Sequence, residues 1–131
     1  MLDLTNSIYT KIKSAVKAVY PNAIVEKTYQ ATSTKFPYVT ITDIDNPEIG
    51  RNLSGTGKQS SPSWQIDVYA SGSTGEIVAK EIRDAIIPVM EDLFFCNRDT
   101  SRPTVNAADT TIYRWTLRYS CKVDEDTECI Y

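Results

Sequence analysis

The sequence predicts an α+β domain: a mixed or antiparallel sheet of about four to five strands with two helices packed on one face. Three observations carry this expectation. Residues 4–19 and 73–93 repeat apolar side chains at helical spacing, whereas 38–42, 64–69 and 111–123 alternate apolar and polar residues as half-buried strands do. The order helix, strands, long loop, strand, helix, long strand then suits helices gathered on one side of a sheet.

In the first helical stretch Ile8, Ile12, Ala15, Val16 and Val19 share one side and Lys11, Lys13 and Lys17 fall on the other. Thr5, Asn6 or Ser7 can cap its start, the late lysines suit its negative end, and Pro21-Asn22 stops it. Residues 23–27 form a short β-prone piece. In 38–42 Val39 and Ile41 share a face, and Phe36-Pro37 can only precede or open that strand because proline donates no ladder bond. Residues 45–63 carry Asn46-Pro47, Gly50, Gly55, Gly57 and Ser60-Ser61-Pro62 with few apolar side chains, which predicts a long loop or an irregular hairpin arm.

Trp64-Gln65-Ile66-Asp67-Val68-Tyr69 places Trp64, Ile66 and Val68 inward and Gln65, Asp67 and Tyr69 outward. Ser73-Thr74-Gly75-Glu76 matches a capping box that opens the second helix. Its stripe runs through Ile77, Ile82, Ala85, Ile86, Val89, Met90 and Leu93, with Pro88 kinking it or starting a new turn. Arg102-Pro103 reads as a break in regular structure. Over 111–123, Tyr113, Trp115, Leu117, Tyr119, Cys121 and Val123 take one face, and Arg114, Thr116, Arg118, Ser120 and Lys122 take the other. Residues 124–131 form an acidic tail with Asp124, Glu125, Asp126 and Glu128 in close succession.

The composition excludes several function classes. The chain has 131 residues, 41% hydrophobic, 24% charged and 10% aromatic, the profile of one globular domain with aromatic burial that disordered chains lack. At this mass about two-thirds of the unfolded surface can be buried. Fourteen Lys+Arg against seventeen Asp+Glu leave a net charge of −3, opposite to the basic balance of duplex-binding proteins. No histidine is present, so Ser-His-Asp and Cys-His nucleophiles, His-ligated zinc and imidazole acid–base catalysis are excluded. The three cysteines, Cys96, Cys121 and Cys129, form no C-x-x-C and read as reduced cytosolic thiols. Gly55-Thr56-Gly57-Lys58 lacks the spacing and hydroxyl of a phosphate loop and reads as a flexible turn. The N-terminal residues have neither a basic nor an apolar leader region, and no apolar run approaches a membrane span, so no export signal and no membrane partner are expected.

The candidate sites are therefore surfaces, with no catalytic, cofactor or metal residues. The acidic tail lacks the Asp-x-Asp-x-Asp-Gly pattern of a calcium loop and reads as solvated or partner-facing. The Arg114, Arg118 and Lys122 stripe could bind phosphate, be solvated or paired with neighbouring acids, or meet Asp124, Glu125 and Asp126 of an adjacent copy. Asp43, Asp45 and Glu48 are acids near a loop that nothing positions as an acid–base couple.

Phe36-Pro37-Tyr38-Val39, Asp45-Asn46-Pro47, Trp64-Gln65-Ile66-Asp67-Val68-Tyr69, Ala79-Lys80-Glu81-Ile82 and Thr111-Ile112-Tyr113-Arg114 leading to Arg118-Tyr119 resemble the tail-terminator, or tail-completion, proteins of long-tailed bacteriophages and prophages. The resemblance spans about residues 5–123; the acidic tail has no counterpart in it. It implies one domain over 1–131 whose copies form a hexameric ring, cap the tail tube, end its polymerisation and present a surface to the head–tail connector protein. It also implies assembly in the host cytoplasm, residence at the neck end of the virion tail, and DNA passing through the lumen without sequence-specific binding. On this resemblance Arg51 and Lys58 would reach a neighbour, the tube or the lumen, and Arg114, Arg118 and Lys122 would face a ring neighbour. A head–tail connector component of the same neck, and a small non-enzymatic binding domain, are the alternatives.

Overall fold

Helix α1 (Thr5–Val19) buries Ile8, Ile12 and Val16, the i, i+4, i+8 row that the sequence pattern sets on one side. Helix α2 (Gly75–Pro88) buries Ala79, Ile82 and Ile86. Both stripes meet one face of the main sheet, where Val25, Val39, Ile41, Trp64, Ile66, Val68, Leu117 and Tyr119 complete the core. In this computed structural model the described residues are 4–27, 36–45, 48–51, 58–94, 96–105, 112–124 and 129–130.

The main sheet has the order β1-β2-β5-β7-β6, built from β1 (Ile24–Glu26), β2 (Tyr38–Asp45), β5 (Ser63–Ser71), β6 (Asn97–Val105) and β7 (Ile112–Ser120). β1 runs parallel to β2 and every other pair is antiparallel, so the sheet is mixed and the α+β expectation holds, with both helices on one face. A second sheet of order β3-β4-β8-β9 joins β3 (Glu48–Arg51), β4 (Lys58–Ser60), β8 (Val123–Asp124) and β9 (Cys129–Ile130).

The registers explain the second sheet. β5 pairs β7 through Ser63↔Ser120, and β4 pairs β8 through Ser60↔Val123 with no slip between them. The interruption falls at Ser61-Pro62, where proline has no N–H to give the ladder, yet the Pro62 carbonyl still accepts from Cys121 N–H at 3.2 Å. The β2–β5 ladder likewise continues into β3–β4 after one-residue shifts near Asp45 and Glu48. Among the described residues of 45–63 the chain follows the hairpin-arm alternative and extends the β2–β5 ladder, while 46–47 and 52–57, with the expected turn at 55–58 as far as Gly57, lie outside the described residues. The 124–131 tail is not wholly free, because Asp124 pairs with Gln59 on one side and Cys129 on the other, while Glu125 and Asp126 lie outside the described residues.

Several local expectations are corrected. Thr5, Asn6 and Ser7 do not cap α1; Leu4 is the N-cap residue, and the Thr5 hydroxyl instead donates to Asp43 Oδ1 at 2.6 Å and accepts from Trp64 Nε1 at 3.2 Å. The Ser73/Glu76 capping box is out of step by one residue, because Thr74 takes the cap position; Glu76 pairs with Lys80 one turn on at 2.8 Å. Val19, Ile77 and Leu93, assigned to the apolar stripes, are exposed. Ile77 is two residues from Ala79, and at 100° per residue that turns it well away from the buried row. After Pro88 the chain widens into a π-turn (Val89–Leu93) closed by Phe94 N–H to Val89 O at 3.2 Å.

Arg102-Pro103 does not break structure: it lies inside β6, an edge strand, where a missing donor can face away from the ladder. The 111–123 strand ends at Ser120, pauses at Cys121-Lys122 and resumes as β8, and Thr111 lies outside the described residues. α2 approaches β5 so closely that a Cβ on Gly75 would sit 3.1 Å from the Ala70 carbonyl oxygen, and Gly72 supplies the positive φ, 87°, of the turn between them.

Candidate functional site: the polar face of the main sheet

The face of the sheet opposite the helices carries the residues that alternate with the core residues along each strand. Register places Tyr38, Thr40 and Thr42 of β2 beside Tyr69, Asp67 and Gln65 of β5, and these beside Arg114, Thr116 and Arg118 of β7. Thr104, Arg102 and Thr100 of β6 complete the row. The alternation assigns Gln65, Asp67 and Tyr69 to this side correctly, but not to solvent: Asp67 is 4% and Tyr69 5% exposed, and Tyr38, Thr40 and Thr116 are also buried.

A buried carboxylate must be hydrogen-bonded and paired to persist. Asp67 Oδ1 accepts from Arg114 Nε at 3.0 Å and from the Thr116 hydroxyl at 2.7 Å, and Oδ2 accepts from Gln65 Nε2 at 2.9 Å. Two relays converge there. Thr104 donates to Thr116 at 2.9 Å, and Arg118 Nε donates to Gln65 Oε1 at 3.0 Å. Each middle group passes polarisation on to Asp67, so the network ties five residues of β5 and β7 and one of β6 into a unit. The Arg114 guanidinium also lies 5.5 Å from the Tyr69 ring centroid, and that ring lies 5.9 Å from the Tyr38 ring.

The cationic stripe thus splits. Arg114 is an internal group, its side chain 24% exposed and spent on Asp67. Arg118 is exposed and enters the network through Nε, and exposed Arg102 lies diagonal to it on the neighbouring strand, opposite Thr116. Lys122 is exposed but sits in the break after β7, so it continues the stripe in position without belonging to the strand. Among the described residues no carboxylate pairs with Arg102, Arg118 or Lys122. This face therefore presents guanidinium groups suited to carboxylate or phosphate, held on a rigid ladder.

Arg51 and Lys58, chosen for the loop, are register partners that close the described part of the β3–β4 extension. Among the described residues no group of three or more His, Cys, Asp or Glu could hold a metal ion, and no helix is long and apolar enough to cross a membrane. The residues missed by the sequence reading are Asp67, Gln65 and Thr116. Their signal is an aspartate in mid-strand between Ile66 and Val68, legible only once the β5–β7 register sets it beside Arg114 and Thr116.

On the helix side Tyr119 is wholly buried, and its hydroxyl donates to Glu91 Oε2 at 3.3 Å, while Arg98 lies 3.6 Å from the other carboxylate oxygen. Burial first, and the Glu91 charge second, push the Tyr119 hydroxyl well above its ordinary range. A raised folded value means the neutral phenol stabilises the fold fully below about pH 10, and that share is lost as pH climbs beyond it. Urea midpoints measured between about pH 9 and 11 are expected to fall, and to fall less steeply in Tyr119→Phe.

No protein-family model and no curated protein sequence matches the chain. Among solved structures, a chain of the "Virion of native gene transfer agent (GTA) particle" matches with a TM-score of 0.67 at 12% identity, over 95% of this chain and 99% of that one. At that identity the likeness establishes the shared fold.

Proposed function

We propose that this chain is a structural subunit of a phage-like virion that caps the tail tube as a ring, a role that suits a fold whose like is found, end to end, in a gene transfer agent virion. That near-complete coverage of both chains is the observation that carries the reading, since the likeness extends over the whole fold and not over a shared fragment of it. The subunit acts by shape and charge, without catalysis, cofactor or metal. Its partners are further copies of itself in a hexameric ring, the tail-tube protein below and the head–tail connector protein above, with DNA passing through the lumen without sequence-specific binding. It assembles in the host cytoplasm and ends at the neck of the virion tail.

Two surfaces serve this role. Arg118 and Lys122, exposed and without described carboxylate partners, meet a ring neighbour. Arg51 and Lys58, opposed on the hairpin extension, reach a neighbour, the tube or the lumen. The alternative within the same virion is a head–tail connector subunit, which would share size and ring formation but bind the portal side.

Light scattering across a concentration series, with and without purified tail tubes, tests the reading. The expected result is a mass near six times 14.7 kDa, alone or on tube ends. A protein that stays monomeric and ignores tubes at every concentration overturns it, and a ring that binds portal in place of tube ends transfers the role to the connector.

A further inference from the structure

Cys96 and Cys121 take no part in the assembly reading, yet the strand register sets them face to face. β6 pairs β7 through Asn97↔Ser120 and Arg98↔Tyr119, and one further step of the same ladder opposes Cys96 to Cys121. Neither residue spends its backbone on the other: Cys121 N–H donates to Pro62 O at 3.2 Å, and Cys96 N–H donates to Met90 O at 2.8 Å. They therefore form a non-hydrogen-bonded pair, the kind with Cα atoms about 4.5 Å apart and side chains closest. That separation falls inside the roughly 4.4–6.8 Å that a disulfide spans. Both cysteines are free and buried, and both belong to the core on the helix side of the sheet. The Cys96 thiol donates to the Phe94 carbonyl at 3.8 Å, and the ladder position sets its sulfur on the same face as that of Cys121.

We propose that Cys96 and Cys121 are a latent cross-strand disulfide, closed by a small-molecule disulfide of the glutathione class, that clamps the start of edge strand β6 to the end of β7. The neighbouring Cys96 thiol lowers the Cys121 thiol, whereas Cys121 and burial raise that of Cys96, which makes Cys121 the first nucleophile. The Cys121 thiolate attacks one sulfur of the reagent; the reagent's S–S bond breaks and one thiolate leaves, taking up a proton. Cys96 then loses its proton to solvent and its sulfur attacks Cys121 Sγ of the mixed disulfide. The second small thiolate leaves and is protonated, so two protein thiols are oxidised and one small disulfide is reduced to two thiols. Access comes from position: Cys96 immediately precedes β6 and Cys121 immediately follows β7, and strand ends open locally far more often than strand centres. A chain assembled in a reducing compartment would carry the open pair, and an oxidising one would close it. The inference stands whether or not the chain forms rings.

The test is oxidation of the full folded chain with oxidised glutathione at about pH 8, alongside a Cys129→Ser form that removes the third thiol. The expected product has lost about 2 Da without a retained glutathione, consistent with exchange to an internal bond. A non-reducing peptide map then yields Cys96 linked to Cys121, and no maleimide adds at either position after unfolding. Because the bond closes a loop of roughly 25 residues, Tm is expected to rise by at least about 5 °C and to return on reduction. Cys96→Ser and Cys121→Ser should lose the linked peptide, and any that folds should lose the reversible Tm shift. A stable glutathione adduct, a bond to Cys129, covalent dimers, or two thiols that still label after prolonged oxidation would each overturn the proposal, and these outcomes are read on the native sequence even where a serine variant fails to fold.

Discussion

Replacing Asp67 with alanine is expected to lower the unfolding free energy by about 3–5 kcal/mol, the largest loss from any single polar side chain in the molecule. The carboxylate is the common acceptor of Arg114, Thr116 and Gln65, and it is only 4% exposed. Its removal takes the Asp67 carboxylate from a half-buried guanidinium and the acceptor from a buried hydroxyl, and the cost is the desolvation of those groups rather than the net worth of the lost bonds. Asp67→Asn keeps the volume and one acceptor oxygen, so its loss should be smaller. Adding Arg114→Met to Asp67→Ala should recover part of the stability, because removing both partners of a buried pair is often near neutral. Urea unfolding with an unchanged m-value reads all three. A midpoint for Asp67→Ala equivalent to less than about 1 kcal/mol of loss would show that groups other than the Asp67 carboxylate satisfy Arg114.

The same residue marks the boundary of what the sequence could reveal. Alternation in 64–69 and the 3.6-residue rows of α1 and α2 place Trp64, Ile66, Val68, Ile8, Ile12, Val16, Ile82 and Ile86 on the correct side, since period decides that for the centre of a stripe and not for its margins at Val19 and Ile77. Period does not say whether the second side is covered, so Asp67 and Tyr69 read as outward although both are buried. β3 and β4 escape notice because Glu48–Arg51 and Lys58–Ser60 hold almost no apolar residues; their pairing is inherited from the β2–β5 and β5–β7 ladders. β6 escapes for a related reason. Its Arg98, Asp99, Arg102 and Pro103 are edge-strand residues, selected against further pairing instead of for burial, and they look like a loop when read along the chain. The helix starts were each displaced by one residue, enough to undo a capping box whose geometry depends on a fixed N3 position. The candidate cations were legible as a stripe, but only the ladder could divide Arg114, already engaged, from Arg118.

That division yields the second large effect. Arg118→Glu is expected to leave the urea midpoint within about 1 kcal/mol of the parent, because an exposed arginine contributes little beyond its bond to Gln65. On the ring reading it should nevertheless raise the concentration needed for assembly by about 30-fold or more, since reversing a charge that meets an acidic neighbour costs roughly 2 kcal/mol or more per contact. The same change at Arg114 should unfold the chain instead, as it sets a second carboxylate against Asp67. Combining Arg118→Glu with Lys122→Glu should deepen the assembly defect without touching the core, and the parent ring should itself loosen as salt rises, because the pairing is near the surface. On the hairpin, Arg51→Glu and Lys58→Glu are the clean tests of tube attachment. Excision of residues 51–60 is not, for it would remove β4, the strand on which β8 pairs. An Arg118→Glu, Lys122→Glu chain that reaches six-fold mass at the parent's concentration and still seats on tube ends would show that this face is solvated, and would leave ring contacts to the hairpin extension or the helix side.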